Sequence, residues 1–207
     1  MSHSDDDGLN LPSAIAPYHV VIIPMIKNEN ADAILNYCDK IKATMPNGIR
    51  CFIDTKEFSP QNKKWDYVRK GVPFILEIGM KEVEAETVCI TKRLSLEKSV
   101  IPLNEFSSNI ERLLENHDEA LKIRNEKFCN SKINRDISSP DELREFFKSK
   151  ENGFVIAKWS GKSDNLELLD ELSVSIRCIP TDQSGTSGKC VLSGEETTMD
   201  AVFAKSY

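Results

Sequence analysis

The chain has 207 residues, 33 acidic against 27 basic side chains, and a formal net charge of −6. That length allows one or two domains, and an apolar share of 40% with nine Gly and nine Pro excludes a disordered or low-complexity chain. No apolar run approaches the roughly 18 residues of a membrane helix, the polar and acidic residues 1–7 are not those expected of a signal peptide, and an excess of acid argues against a generic nucleic-acid binder.

The expected elements alternate along the chain. Residues 19–25 (HVVIIPM) are short, apolar and β-branched, which predicts a buried strand with His19 at its start. Ile34, Leu35, Cys38 and Ile41 recur at helical spacing over 32–44, and Pro46-Asn47-Gly48 stops that helix. Residues 49–54 (IRCFID) alternate like a strand. Ser59 is a natural N-cap with Pro60 at the first helical position, and the short helix they open ends at Gly71. Residues 73–78 form a strand, 87–91 and 99–101 a strand pair, and 103–134 a long amphipathic helical stretch. Strand, helix, strand, helix, strand predicts an α/β unit with helices covering a mostly parallel sheet. Residues 134–140 mark a boundary. Beyond it come a helix over 141–150, a strand over 154–158, a helix over 166–172, a strand over 174–179, a polar loop over 181–188 and a last strand over 201–204. These make a second, small α+β unit.

Cysteine usage fits a reducing, cytoplasmic setting. Cys38, Cys51, Cys89, Cys129, Cys178 and Cys190 include no C-x-x-C pair. Neither a disulfide framework nor a zinc knuckle is therefore expected. The three histidines are scattered. No phosphate loop, H-E-x-x-H or nucleophile elbow is present, so no catalytic set is expected.

Charge divides unevenly. Residues 1–135 carry 19 basic and 20 acidic groups, whereas 136–207 carry 8 and 13. Within 56–70, five basic residues (Lys56, Lys63, Lys64, Arg69, Lys70) face two acidic ones, beside Phe58, Trp65 and Tyr67. Single-stranded RNA is read by stacking on aromatic planes and by hydrogen bonds to base edges. A carboxylate accepts from guanine's Watson–Crick N–H groups, and a lysine donates to its oxygen or Hoogsteen nitrogen. Asp54 or Glu77 beside Lys56 or Lys63 would suit guanines. The alternative is a solvated helix with Trp65 packed on the sheet.

Several segments resemble prolyl-tRNA synthetases of the archaeal/eukaryotic type, in order and over essentially the whole chain. Residues 3–24 resemble the stretch joining catalytic core to anticodon-binding domain. FIDTKEFSP-QNKK (52–64) and KGVPFILEIG (70–79) are similar to that domain's signature segments. GFVIAKWSG (153–161), IRCIP (176–180), GKC (188–190) and VFAKSY (202–207) are similar to the family's C-terminal domain. The resemblance implies a linker remnant over 1–16, an anticodon-binding domain over 17–120 with a five-stranded mixed sheet and three helices, a connecting helix over 121–135, and an α+β C-terminal domain over 136–207. By motif position it makes Asp54, Lys56, Lys63 and Glu77 the anticodon readers, and proline tRNA, whose anticodons end in two guanines, the partner.

There are departures from that pattern. The family usually has Arg at Lys56 and Ile75 and Arg-Asp at Lys81-Glu82, and lysine cannot form arginine's bidentate fork. Many members hold zinc with four cysteines; the matching residues here are Ser160, Asn165, Cys190 and Ser193, so no zinc is expected. Cys178 is expected to be small, apolar and buried. The ATP, magnesium and three class II motifs of the full-length family belong to a catalytic core missing from these residues, so the chain alone should not activate proline. The expected role is anticodon recognition by a C-terminal fragment or split subunit, with a catalytic core on another chain. The alternatives are a freestanding module for protein interaction or regulation, or a relic without function. The resemblance also lets the Tyr207 carboxylate point toward a catalytic domain, against an edge strand with an exposed end.

Overall fold

The structure is a computed structural model that describes residues 3–26, 30–149, 153–162 and 166–206. Asn165 and Tyr207 lie outside the described residues. The chain divides into two units, 1–124 and 125–207.

The first unit opens with an arm carrying the short antiparallel pair β1 (Ser4–Asp5) and β2 (Gly8–Leu9). The main run follows: β3 (Val20–Pro24), α1 (Ala31–Ala43), β4 (Cys51–Ile53), α2 (Pro60–Arg69), β5 (Phe74–Ile78), α3 (Met80–Ala85), β6 (Thr87–Lys92), β7 (Lys98–Pro102) and α4 (Leu103–Ser131). The sheet order is β4-β3-β5-β6-β7. Only β4, β3 and β5 are parallel; β6 and β7 add as antiparallel neighbours, so the sheet is mixed rather than mostly parallel. Both are reached by short connections, through the six-residue α3 before β6 and a tight hairpin before β7, whereas parallel neighbours need a long crossover.

Strand order fixes where the helices lie. The crossover β3–α1–β4 steps one way across the sheet, and β4–α2–β5 steps back past β3. Right-handed crossovers in opposite directions place their helices on opposite faces. Alternation along the strands agrees. Val20, Ile22, Phe74 and Leu76 pack with Ile34, Cys38 and Ile41 of α1 and with Phe106 and Ile110 of α4. Val21, Ile23 and Ile75 pack with Tyr67 and Val68 of α2. Ser59 caps α2 as its sequence predicts, its Oγ accepting the Asn62 N–H at 3.3 Å ahead of Pro60. His19 sits just before β3, buried; its Nδ1 accepts the Arg50 N–H at 3.1 Å, which leaves Nε2 to donate to Ser13 O. Burial and the Arg50 charge lower its pKa, which keeps it neutral.

The second unit contains β8 (Ile133–Asn134), α5 (Pro140–Lys148), β9 (Phe154–Lys158), α6 (Leu166–Glu171), β10 (Val174–Cys178), β11 (Gly188–Lys189), β12 (Glu196–Thr197) and β13 (Asp200–Lys205). Its main sheet runs β10-β13-β9-β8. Leu143, Phe147, Val155, Leu169 and Phe203 lie in its core. Cys178 corrects the sequence reading: it is exposed, not buried. It lies on an edge strand, and a register shift between Ile176 and Cys178 breaks the alternation that would have turned it inward. Gly188, read as a loop glycine, starts β11. Among the described residues no helix is long and apolar enough to cross a membrane.

Candidate nucleic-acid interface

Asp54 directly follows β4 and starts the loop leading into α2. Its Oδ1 accepts the Lys56 backbone N–H at 2.9 Å, a short turn closed on its own side chain. Its Oδ2 accepts the Tyr67 hydroxyl at 3.0 Å. Lys63 reaches back from α2 to donate to Asp54 O at 2.9 Å, with its Nζ 3.7 Å from Asp54 Oδ1. Asp54 is 3% exposed and Lys63 7%. Burial, then the bond to Asp54, push the Tyr67 phenol well above its ordinary range, so it remains a donor. Asp54 and Lys63 are thus brought together, but beneath the helix and bonded to each other's backbone or side chain.

Glu77 sits elsewhere on the same sheet face. Register aligns Ile23, Glu77, Cys89 and Val100 across β3, β5, β6 and β7. The Glu77 carboxylate accepts from Lys98 at 2.9 Å, from Lys64 at 3.3 Å and from Thr91 Oγ1 at 3.5 Å. Burial alone would raise its pKa, but Lys98 and Lys64 outweigh burial and hold it below its ordinary value. Its basic neighbours are therefore Lys64 and Lys98 rather than Lys56 or Lys63. Lys64 stood in the basic cluster of the sequence. Lys98 became visible only through the β6–β7 register, which places it opposite Thr91.

The packing of α2 leaves part of this face open. Its buried partners lie on β3 and β5. On β7, Val100 is 59% exposed and Lys98 is half exposed. Lys56 is exposed on the loop, Phe58 beside it is 67% exposed, and Trp65 on α2 is 38% exposed rather than packed away. Stacking surfaces, lysines and one ionised carboxylate therefore belong to the loop, α2 and the open strands. That combination suits single-stranded RNA, with no covalent chemistry implied. Ile75, where the family usually has Arg, is fully buried under α2 and serves packing.

The second unit has an open cleft of about 570 Å³. Lys158 on it is spent on Asp200 (2.8 Å), Ser184 Oγ (2.9 Å) and Thr198 O (3.1 Å). The zinc positions of the resembled family fare no better. Cys190 Sγ accepts the Ser193 N–H at 3.4 Å, and Ser160 Oγ is buried without a hydrogen-bond partner among the described residues. Burial opposes ionisation of Cys190, yet hydrogen bonds from Ser193, Leu192 and Ser160 bring its thiol down to about 7. One thiol with two hydroxyls does not suit structural zinc. Among the described residues no three His, Cys, Asp or Glu side chains gather as a metal site.

Residues 19–113 match the family described as "Anticodon binding domain", and residues 140–207 match "Prolyl-tRNA synthetase, C-terminal". The whole chain aligns with a proline--tRNA ligase from Protochlamydia amoebophila (strain UWE25) at 35% identity, and with one from Chloroflexus aggregans (strain MD-66 / DSM 9485) at 36%. It spans 44% of the length of each of these relatives. A prolyl-tRNA synthetase from Cryptosporidium parvum, solved with halofuginone and AMPPNP, superposes with a TM-score of 0.83 at 29% identity, over 100% of this chain and 43% of that one.

Proposed function

Because its two units match the anticodon binding domain and the C-terminal domain of prolyl-tRNA synthetases, the chain belongs with the C-terminal part of that family, and we propose that it recognises the anticodon of proline tRNA. The observation that carries this reading is Glu77. It is an acceptor-only carboxylate, held ionised by Lys64 and Lys98, beside the uncovered part of the face. Guanine offers two kinds of N–H on its Watson–Crick edge to such a group, whereas adenine offers an acceptor at its ring nitrogen. Glu77 therefore favours guanine, Lys56 donates to base oxygens or phosphate, and Phe58 supplies a stacking plane. In this proposal Asp54 and Lys63 act by shaping the loop from which Lys56 and Phe58 project.

The same reading makes the chain a cytoplasmic component of prolyl-tRNA synthesis, of the archaeal/eukaryotic type that its signature segments resemble. Proline activation, with its ATP and magnesium, then falls to a catalytic core outside these residues, as a separate chain or the rest of a longer one. The acidic total predicts weak, salt-sensitive background binding to RNA, so affinity rests on base contacts. The test is filter binding of proline tRNA against a variant with both anticodon guanines replaced. The expected result is at least about tenfold weaker binding of the variant, or about 1.4 kcal/mol. Equal affinity would overturn the proposal.

A further inference from the structure

The arm preceding β3 is tied to both elements that bring lysines to Glu77. The meeting point is Arg93, in the β6–β7 hairpin and 1% exposed. Its Nε donates to Leu9 O on β2 at 2.9 Å and to Val68 O on α2 at 2.8 Å. Its Nη2 donates to Asp5 Oδ1 at 2.7 Å and its Nη1 to Asp5 Oδ2 at 3.3 Å, the fork of a bidentate pair. Asp5 also accepts from Arg124 of α4 and from the Asn10 side chain. Without Asp5, the guanidinium would be a buried, unpaired charge.

Two backbone features make this seat selective. Gly8 has φ +132°, and a Cβ there would stand 2.5 Å from Arg69 Cα, so only glycine lets the arm lie against the end of α2. Leu96, at the hairpin turn, has φ +56° and packs on the cluster under α2. The hairpin is therefore held to α2 by Leu96 packing and by the Arg93 bond to Val68 O. Lys64 rides on α2, and Lys98 rides on β7 immediately after that turn.

We propose that Asp5 and Arg93 are positioning residues for the anticodon face: their pair sets the hairpin against α2 and so keeps Lys64 and Lys98 on Glu77. This rests on the reading of that face as an RNA site, and it makes the arm's seating felt at the face. The test uses the full chain with Asp5→Asn, with Asp5→Glu as the conservative variant. Gly8→Ala is a second perturbation that displaces the arm while keeping every charge.

Glu77 is titrated by carbon-detected NMR without RNA. In Asp5→Asn and Gly8→Ala its pKa rises toward the ordinary 4.5 as the lysines shift; Asp5→Glu stays near wild type. Loss of the Asp5 negative charge alone would move it the other way, so the sign separates repositioning from simple charge removal. Affinity for the proline anticodon stem-loop falls about fivefold in Asp5→Asn and Gly8→Ala. An unmoved Glu77 titration in both variants would overturn the proposal. If the wild-type chain shows no guanine preference, the RNA reading fails, while the Glu77 titration still decides the clamp.

Discussion

Two parts of one sheet face use the same residue types to different ends. Beneath α2, Asp54, Lys63 and Tyr67 satisfy one another, and the loop carrying Lys56 and Phe58 is built on them. Toward β6 and β7, Glu77, Lys64 and Lys98 form a comparable carboxylate–lysine group, but half of Lys98 and most of Val100 remain in water. Coverage by a helix turns the first group into architecture. The second group is covered less: Lys98 stays half in water, and under the proposed function it is the lysine that gives way to a base edge. Residue type alone does not separate the two; solvation does.

The largest effect should come from the covered group. Asp54→Ala removes the partner of a buried lysine and should destabilise the first unit by about 3 kcal/mol, measured by urea unfolding. Full stability with lost RNA binding would erase the contrast. On the open side, Phe58→Ala should weaken anticodon stem-loop binding by about 1–2 kcal/mol, with thermal stability unchanged. Glu77→Gln should cut guanine preference by about 1 kcal/mol and move stability by less than that; competition binding with base-substituted stem-loops reads it out.

A smaller effect is the pH dependence of stability. The pKa values of Asp5 and Glu77 are lowered in the folded chain, Asp5 because hydrogen bonds and charge from Arg93 outweigh its burial. Their contributions are complete above the ordinary values of 3.8 and 4.5 and disappear as pH falls toward the folded values. Unfolding midpoints should begin to fall below about pH 6.5, where His19 gains a proton more readily in the unfolded chain than in the folded one, and drop further below about pH 4.5. Asp5→Asn should make that acid drop shallower. The smallest expected effect is that of a chelator. With Cys190 the one thiol among Ser160, Cys190 and Ser193, EDTA should leave the melting temperature of the second unit unchanged.

Much of the architecture was readable from local chemistry. Ser59-Pro60 announced α2, and the apolar run before Met25 announced β3, because caps and period are local signals. The two-residue strands β1, β2, β8, β11 and β12 carry no period to read, and α3 buries none of its side chains. Cys178 was misread because a register shift on an edge strand is set by its neighbour, not by its own sequence. For the site, Asp54, Lys56, Lys63 and Glu77 were nameable from their types and motif positions. Their division into a covered and an open group was not, because it depends on which strands α2 covers. Lys98 and Arg93 belong to the same lesson: each acts through partners that only the hairpin register and the arm bring near.

The most direct test of this contrast is a ¹H–¹⁵N NMR titration of the chain with a proline anticodon stem-loop. Saturable shifts should gather at Lys56, Phe58, Lys64, Glu77, Lys98 and Val100, while the buried amides of Val68 and Ile75 move little. Shifts confined to residues away from this face, or equal shifts with a stem-loop lacking both guanines, would contradict it.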